Sequence, residues 1–259
     1  MAAPDQPLAS LSLTHVHYNP NDIFSHGSAW LALVPQALCV AYVTLIWASR
    51  EAEIILMFAG QMGCEALNFA LKRLIREERP KCAQILCETP PVLMMIKAYV
   101  PYSLTDMLGK GYGMPSSHAQ FVAYFSCYFT LFLLLRHKPN LSVIPHALNP
   151  LQKVALSLLA CAGASAVAIS RLYLNYHTKK QVLVGFTAGA LFSVVWYSLI
   201  SYLRASGWVE WALGLSLSRA LRIRDLVVSE DLTEAGWRRW EAQRKLKRRE
   251  NSDLSHKSD

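Results

Sequence analysis

Residues Ala119–Leu135 read AQFVAYFSCYFTLFLLL, and no charged side chain interrupts them. A helix needs about 20 predominantly apolar residues to cross the hydrocarbon core of a bilayer, so this run approaches a full span. Runs of similar character are Ala29–Ala48, Glu53–Leu71, Val154–Leu174 and Val182–Leu203. The 259-residue chain is 53% hydrophobic and 17% charged, which leaves too little polar sequence to cover such helices in a soluble protein. We therefore predict an all-α fold, a polytopic membrane helical bundle with about five transmembrane helices.

The basic residues are distributed unevenly between the two ends of this predicted bundle. Residues 1–27 contain no Lys or Arg, so the positive region of a cleavable signal peptide is missing. Cations concentrate in the C-terminal tail, which includes Arg204, and at the span ends on the same face of the bundle, which include Arg136. Positive residues mark the cytoplasmic side of a membrane protein. We expect a lumenal N-terminal segment (1–28), a transmembrane domain (29–203) and a basic cytoplasmic tail (204–259).

Some shorter segments are predicted to lie outside the bilayer core. Pro90–Leu104 is apolar but too short to span, which favours an interfacial segment or a lid. Gly207–Leu217 is a second short candidate for the interface. Asp231–Arg249 fits a basic helix, for which a membrane-surface role and a solvated tail remain equally open. Cys82 and Cys87 share one loop and are either a disulfide pair or free thiols.

The loop before the third predicted span is the first candidate chemical motif. It reads GMPSSH at residues 113–118 and leads into a helix N-terminus. Serines at that position can cap the helix, and its exposed amides favour an anion. An ordinary cap would explain Ser116 and Ser117, but it would not require His118 beside them.

A second motif, SRLYLNYH at residues 170–177, separates the fourth and fifth predicted spans. Arg171 is expected at the end of one span and His177 near the start of the next. Gln181 follows His177 by one helical turn and is within reach of its ring. A neutral histidine that is held through one nitrogen can attack through the other. A single histidine near an interface is usually structural, so this interpretation depends on the motifs meeting in space.

A third motif contains cations at the end of the second predicted span. Lys72 and Arg79 are spaced to share a helical face two turns apart, and Pro80 would end that helix. Together they suit an anion with more than one charge, because Arg binds phosphate through parallel hydrogen bonds and Lys adds a compact charge. The alternative is that long basic side chains reach for the interface, which we favour for Arg73 and Arg76.

Polar residues inside the second span extend the same stripe. Glu65 precedes Lys72 by two helical turns, and Asn68 lies between them. An intramembrane carboxylate is costly and normally faces the bundle interior. We predict that Glu65 and Asn68 support the residues that bind the anion and do not bind it themselves. No Asp, Glu and His cluster has the spacing of a metal site, so neither a metal nor another cofactor is expected.

Together the three motifs resemble the signature of the type 2 phosphatidic acid phosphatase superfamily. The matching patterns are KxxxxxxRP at residues 72–80, PSSH at 115–118 and SRxxxxxH at 170–177. Their order and spacing are specific in combination, whereas each pattern alone is weak. Within the superfamily, LTHVHY at 13–18 and the fuller motifs YGMPSSH at 112–118 and SRLYLNYHT at 170–178 resemble the dolichyldiphosphatase branch. The likeness runs from about residue 12 to Asp225.

This resemblance implies a role for each motif residue. His177 would be the nucleophile that forms a phosphohistidine, and His118 would be the acid that protonates the leaving group. The residues implied to bind phosphate oxygens are Lys72, Arg79, Ser116, Ser117 and Arg171. The sequence departs from the wider superfamily at two positions. Ser117 replaces a commoner glycine, and Gln181 replaces the aspartate that usually orients the nucleophile.

The activity implied is hydrolysis of dolichyl diphosphate to dolichyl phosphate and inorganic phosphate. Residues 29–203 would then be a lipid phosphatase domain in the endoplasmic reticulum membrane, with its site in the lumen, that recycles the lipid carrier for protein N-glycosylation. The alternatives are a broader phosphatase of lipid phosphates or prenyl diphosphates and a phosphotransferase on the same scaffold. A non-catalytic scaffold would leave both histidines unexplained. No nucleic acid partner is expected.

Overall fold

The computed structural model describes residues 9–11, 16–19, 21–77, 112–138, 148–230 and 232–257, and this part of the chain is almost entirely helical. The helices are α1 (Ile23–Leu31), α2 (Val34–Ser49), α3 (Ala52–Ile75), α4 (Ser117–Leu131), α5 (Pro150–Tyr173), α6 (Lys179–Ala205), α7 (Trp208–Gly214), α8 (Ser216–Ala220) and α9 (Leu232–Lys257). A π-helical turn, Phe132–Arg136, extends α4. Five helical segments are long and apolar enough to cross a membrane, which confirms the predicted fold class.

The N-terminal region differs in detail from the prediction. Strands β1 (Ala9–Leu11) and β2 (Val16–Tyr18) form a small antiparallel hairpin that the sequence analysis did not predict, because such short strands carry almost no alternation signal. The first span begins at Ile23 rather than Ala29 and is built from α1 and α2. Asp22 accepts a hydrogen bond from the Phe24 amide and thereby caps α1.

Helix α4 is the centre of the bundle. In its most apolar window 56% of the residues are buried, compared with at most 28% in each of the other spans. It packs against α2, α3, α5 and α6. Polar side chains tie α3 to α4 in this interior: Asn68 donates to the Gln120 carbonyl oxygen at 2.7 Å, and Gln120 donates to the backbone oxygen of Cys64 at 2.9 Å. These bonds satisfy amide groups that would be costly in an apolar core.

The backbones of α4 and α6 approach each other at two glycines. A methyl group added to Gly185 would lie 2.6 Å from the backbone oxygen of Ser116, and one added to Gly189 would lie 2.2 Å from the backbone oxygen of Gln120. Small residues one turn apart allow membrane helices to pack this closely. The first contact fixes the start of α4 against α6, so it bears directly on the motif at residues 113–118.

The bundle has two distinct ends. We call the end at which α3 and α5 finish and α4 and α6 begin the site end, and the opposite one the tail end. At the tail end, the buried Glu53 accepts from Arg136 of the π-helical turn at 2.5 Å and from Arg204 of α6 at 2.6 Å. Arg204 also pairs with Asp225, and the Tyr128 hydroxyl donates to Glu53 at 2.9 Å. This network joins α3, α4 and α6 to the segment that follows α8.

A second carboxylate attaches that segment to the bundle. Glu51 is fully buried, pairs with Arg224 at 2.8 Å and accepts from the amides of Leu226 and Val227. The Ala52 amide donates to the Arg224 oxygen at 2.7 Å. Residues 224–227 are therefore part of the folded unit, and the region predicted as the tail contains α7, α8, this attached segment and α9.

Several predicted features lie outside the described residues, namely Pro90–Leu104, Arg79, Cys82 and Cys87. The segments predicted at Gly207–Leu217 and Asp231–Arg249 are helical. Helices α7 and α8 cover the first, and α9 covers the second from Leu232 onwards.

Candidate active site

The end of α3 corrects one prediction. The helix ends at Ile75, and Arg76 adopts a left-handed conformation with φ 50° while its amide donates to the Lys72 oxygen at 3.1 Å. A continuous helical face from Lys72 to Arg79, ended by Pro80, is therefore wrong, because the chain turns at Arg76. The turn directs Glu77 towards α6, and the Glu77 backbone oxygen accepts from the Gly113 amide at 2.7 Å.

The start of α4 presents Ser116 and His118. Ser116 occupies the N-cap position, but its hydroxyl makes no capping hydrogen bond and has no hydrogen-bond partner among the described residues, although it is fully buried. An ordinary cap therefore does not explain this serine. A buried polar atom needs a partner, and a phosphate oxygen at the helix N-terminus would supply one.

His118 is held from the N-terminal side of the bundle. Its Nε2 lies 3.2 Å from the backbone oxygen of Ala32, just after α1. A carbonyl oxygen can only accept, so Nε2 carries the proton in this contact and Nδ1 is the nitrogen available for proton exchange. Ala29 and Ala32 are fully buried and pack against Leu174 and Tyr176, so α1 covers the site-end loop between α5 and α6.

Arg171 is the most deeply buried cation of the site. Only 2% of the residue is exposed, and its guanidinium donates to the Ser28 backbone oxygen at 3.2 Å and to the Ser170 hydroxyl. The Tyr176 ring centroid lies 5.8 Å from its central carbon. Among the described residues no carboxylate contacts this guanidinium. Within the described ranges its charge is therefore balanced by neutral acceptors alone, an arrangement that favours an anionic ligand.

His177 is buried and is held by the first turn of α6. Its Nδ1 lies 3.2 Å from the Gln181 carbonyl oxygen, the contact expected from the sequence spacing. Thr178 and Gln181 form a capping box, in which each side chain accepts from the other residue's backbone amide. The Gln181 amide nitrogen donates to Glu77 at 3.1 Å. The exposed Lys180 also bonds Glu77, at 3.2 Å.

The predicted residues of the described chain meet in one region. Arg171, His177 and Lys72 all lie close enough to His118 to act on it electrostatically. Lys72 acts in the same way on Glu65, one of whose oxygens is buried without a hydrogen bond to any described residue. The structure thus brings both histidines together with Lys72, Ser116 and Arg171, while Ser117 begins α4 beside them.

A cavity of about 400 Å³ opens beside His118 between α2, α3 and α4. Its walls are formed by Pro35, Gln36, Cys39, Met62, Glu65, Ser117, His118 and Phe121. The lining combines apolar side chains with the polar side chains of Gln36, Glu65, Ser117 and His118. Such a lining suits a ligand with a charged head and a hydrocarbon chain.

Sequence reasoning missed two contributors to this site. The α1 region holds Arg171 and His118 through the backbone oxygens of Ser28 and Ala32, and backbone contacts leave no side-chain pattern. Glu77 was also missed, because it is separated from Gln181 by 104 positions. The Thr-x-x-Gln capping box at 178–181 was a readable signal that Gln181 turns back towards His177. In the described part of the chain, no three His, Cys, Asp or Glu side chains converge as metal ligands.

Comparison with known proteins places this helical membrane site in a family. The PAP2 superfamily matches residues 51–205, which include both histidines. The chain belongs to the PAP2 superfamily. It is a membrane-embedded phosphatase, and the resemblance inferred from the three motifs is confirmed.

Its relatives include proteins named dolichyldiphosphatase. A Neurospora crassa protein, whose curated name provisionally assigns it to that group, is 44% identical over 96% of this chain and 97% of its own length. Dolichyldiphosphatase 1 of Homo sapiens is 38% identical over 72% of this chain and 69% of its own. The dolichyldiphosphatase of Saccharomyces cerevisiae is 29% identical over 87% of each chain. No solved structure matches significantly.

Proposed function

We propose that this protein hydrolyses dolichyl diphosphate to dolichyl phosphate and inorganic phosphate through a phosphohistidine at His177. The observation that carries the proposal is the Nδ1 contact between His177 and the Gln181 carbonyl oxygen, next to His118 and the buried Arg171. The relatives named dolichyldiphosphatase support the choice of substrate. The cavity beside His118, whose walls combine apolar and polar side chains, supports a lipid substrate rather than a soluble phosphate ester.

The first step makes a nitrogen–phosphorus bond. With its Nδ1 proton donated to Gln181, His177 attacks the terminal phosphorus through Nε2, and the bond from that phosphorus to the bridging oxygen breaks. The leaving group is dolichyl phosphate, whose oxygen takes a proton from His118. Arg171, Lys72 and Ser116 stabilise the negative charge that builds on the transferring phosphoryl oxygens, and Arg79 and Ser117 complete this set.

The second step consumes water. His118, now neutral, accepts a proton from a water molecule whose oxygen attacks the phosphorus of the phosphohistidine. The nitrogen–phosphorus bond breaks, inorganic phosphate leaves, and both histidines return to their starting protonation states. Over the cycle one diphosphate and one water become one lipid monophosphate and one phosphate. Lys72, Glu65 and Asn68, which all lie on α3, are proposed to act from that side of the site.

Trapping the intermediate tests this mechanism. The parent protein, incubated with prenyl diphosphate labelled in its terminal phosphate, should yield an acid-labile phosphoenzyme. His177→Ala should abolish both the phosphoenzyme and phosphate release. His118→Ala should accumulate the phosphoenzyme, because water activation then becomes slower than phosphoryl transfer to His177. Full phosphate release by His177→Ala in a folded protein would overturn the proposal.

Substrate choice needs a separate comparison. Purified protein in chelator-containing buffer should release phosphate faster from dolichyl diphosphate than from phosphatidic acid. The opposite preference would favour a broad lipid phosphatase. Rapid release of inorganic phosphate without any added acceptor would exclude a phosphotransferase, the second alternative.

The proposed location is the endoplasmic reticulum membrane, with the site in the lumen and the product returned to the carrier pool for protein N-glycosylation. The basic residues at the tail end support this orientation. A glycosylation acceptor sequence placed before Ile23 should be glycosylated in cells, and one placed after Lys257 should not. The reverse pattern would place the site on the cytoplasmic face.

A further inference from the structure

We propose that Glu77 is a positioning residue of the phosphatase reaction, which acts through the Gln181 side chain to hold His177 in its nucleophilic tautomer. This inference rests on the proposed role of His177. It assigns a function to a carboxylate that lies between the motif cations Lys72 and Arg79 but is not itself part of the motif.

The contacts form a continuous chain of hydrogen bonds. His177 Nδ1 lies 3.2 Å from Gln181 Oε1, and Gln181 Nε2 lies 3.1 Å from Glu77 Oε1. Histidine and glutamine are both buried, whereas the Glu77 side chain is 32% exposed. The hydrogen bond from Gln181, followed by the bond from Lys180, lowers the pKa of Glu77 from its ordinary value. The carboxylate is therefore ionised at neutral pH and can only accept.

The direction of these bonds determines the histidine tautomer. A glutamine amide has an accepting oxygen and a donating nitrogen that differ little in shape, so the side chain can rotate to present either one. If the nitrogen faced His177, the ring would have to accept through Nδ1 and carry its proton on Nε2, the nitrogen that must attack. Glu77 excludes this state, because rotation would place the Gln181 oxygen against a carboxylate.

The other side of the Gln181 amide is fixed as well. The Thr178 backbone amide donates to Gln181 Oε1 at 3.2 Å, so the oxygen faces two donors while the nitrogen faces an acceptor. This arrangement gives a physical account of the glutamine at a position where the wider superfamily has aspartate. The negative charge lies on Glu77, and the Gln181 amide separates this carboxylate from the His177 ring. The carboxylate polarises that amide and so acts on the ring through it.

Steady-state and rapid-quench kinetics on full-length protein in detergent, with a labelled prenyl diphosphate, test the assignment. Glu77→Ala should lower kcat and the rate of phosphoenzyme formation by about 10- to 100-fold, the usual cost of losing an orienting partner. KM should stay unchanged, because the proposed role of Glu77 is to hold Gln181 and not to bind the substrate. Glu77→Gln keeps the size of the side chain and should lower kcat by less, which covers the case in which Glu77→Ala does not fold.

The exchange of the two side chains is the sharper experiment. Gln181→Glu alone places two carboxylates side by side and should lower kcat. Combined with Glu77→Gln, it puts a carboxylate directly on His177 and an amide behind it, so the double variant should recover most of the rate that either single variant loses. A purely structural role for Glu77 predicts additive losses instead.

Lys180→Gln is the matched control. Lys180 is 71% exposed and bonds the other oxygen of the same carboxylate, Oε2, whereas Gln181 bonds Oε1, so removal of Lys180 should leave kcat unchanged. Unaltered kcat in both Glu77 variants, or a double variant no faster than the singles, would overturn the inference. An equal loss in Lys180→Gln would do the same. If the inference about Glu77 fails but His177→Ala is inactive, the proposed function still stands. If His177→Ala is active, both the proposed function and the inference fail.

Discussion

At the tail end of the bundle, Glu53 accepts hydrogen bonds from both Arg136 and Arg204, whereas at the site end the buried Arg171 is held by a backbone oxygen and a hydroxyl. Both ends bury arginine within the same set of membrane-spanning helices. Only at the tail end, among the described residues, does a carboxylate of the chain itself contact the buried guanidinium. The two ends therefore differ in which anion neutralises the buried guanidinium.

A buried charge must be compensated, and the two ends do this in different ways. The tail end carries its anions within the chain and joins α3, α4, α6 and residues 224–227 into one unit. In the proposed reaction the site end receives its anion from the diphosphate. Substitutions at the tail end should therefore act on stability, and those at the site end on turnover.

Glu53→Gln should produce the largest effect. It leaves Arg136 and Arg204 without their shared carboxylate, and removing one partner of a buried ion pair costs about 3–5 kcal/mol in the free energy of unfolding. Chemical denaturation in detergent measures the loss. Glu241→Gln, which removes an exposed pair with Lys245, is the control and should change stability by less than about 1 kcal/mol. If Glu53→Gln left stability unchanged and reduced kcat, the assignment of stability to the tail end would be wrong.

Arg171→Lys should have the next largest effect, and the effect should be on the reaction. A lysine keeps the charge but loses the planar fork that bonds two phosphate oxygens, and kcat should fall by about 10²-fold or more, as when one transition-state donor is removed. Arg136→Lys is the matched change at the tail end, where kcat should persist and stability should fall. Equal loss of kcat in both variants would show that the two ends are not functionally distinct.

Gly185→Ala should have a smaller effect, on both stability and turnover. The added methyl group would lie 2.6 Å from the backbone oxygen of Ser116 and displace the start of α4. Such overpacking should lower the free energy of unfolding by about 1–3 kcal/mol. Turnover should fall as well, because Ser116 and His118 move with that backbone. Gly163→Ala on α5 has no atom within 4 Å of its new methyl group and serves as the control for thermal unfolding and kcat.

The five spans were predictable because each depends on a run of apolar residues that is local in sequence. The motif around Ser116 and His118 was predictable for a related reason, since a helix start and its preceding loop are adjacent in the chain. The boundary at Ile23 was missed because His26, Gly27 and Ser28 interrupt the apolar pattern, although α1 is helical through them.

Long-range contacts were not predictable in this way. Arg136 and Arg204 were interpreted as marks of the cytoplasmic side, and nothing in their spacing indicated that Glu53 joins them. The left-handed residue Arg76 gave no signal either, because a non-glycine residue in that conformation depends on the surrounding structure. The same turn invalidated the helical argument for Lys72 and Arg79 and directed Glu77 towards Gln181.

Helix α6 carries Gln181 at one end and Arg204 at the other, and this has a consequence for biosynthesis. A chain leaves the ribosome from its N-terminus, so the segments bearing Glu53, Lys72 and His118 emerge before α6. Insertion of α6 then supplies both Gln181, which contacts His177, and Arg204, the second arginine that donates to Glu53. We therefore expect a nascent chain that stops short of α6 to lack both the Gln181 contact to His177 and one of the two arginines that neutralise Glu53.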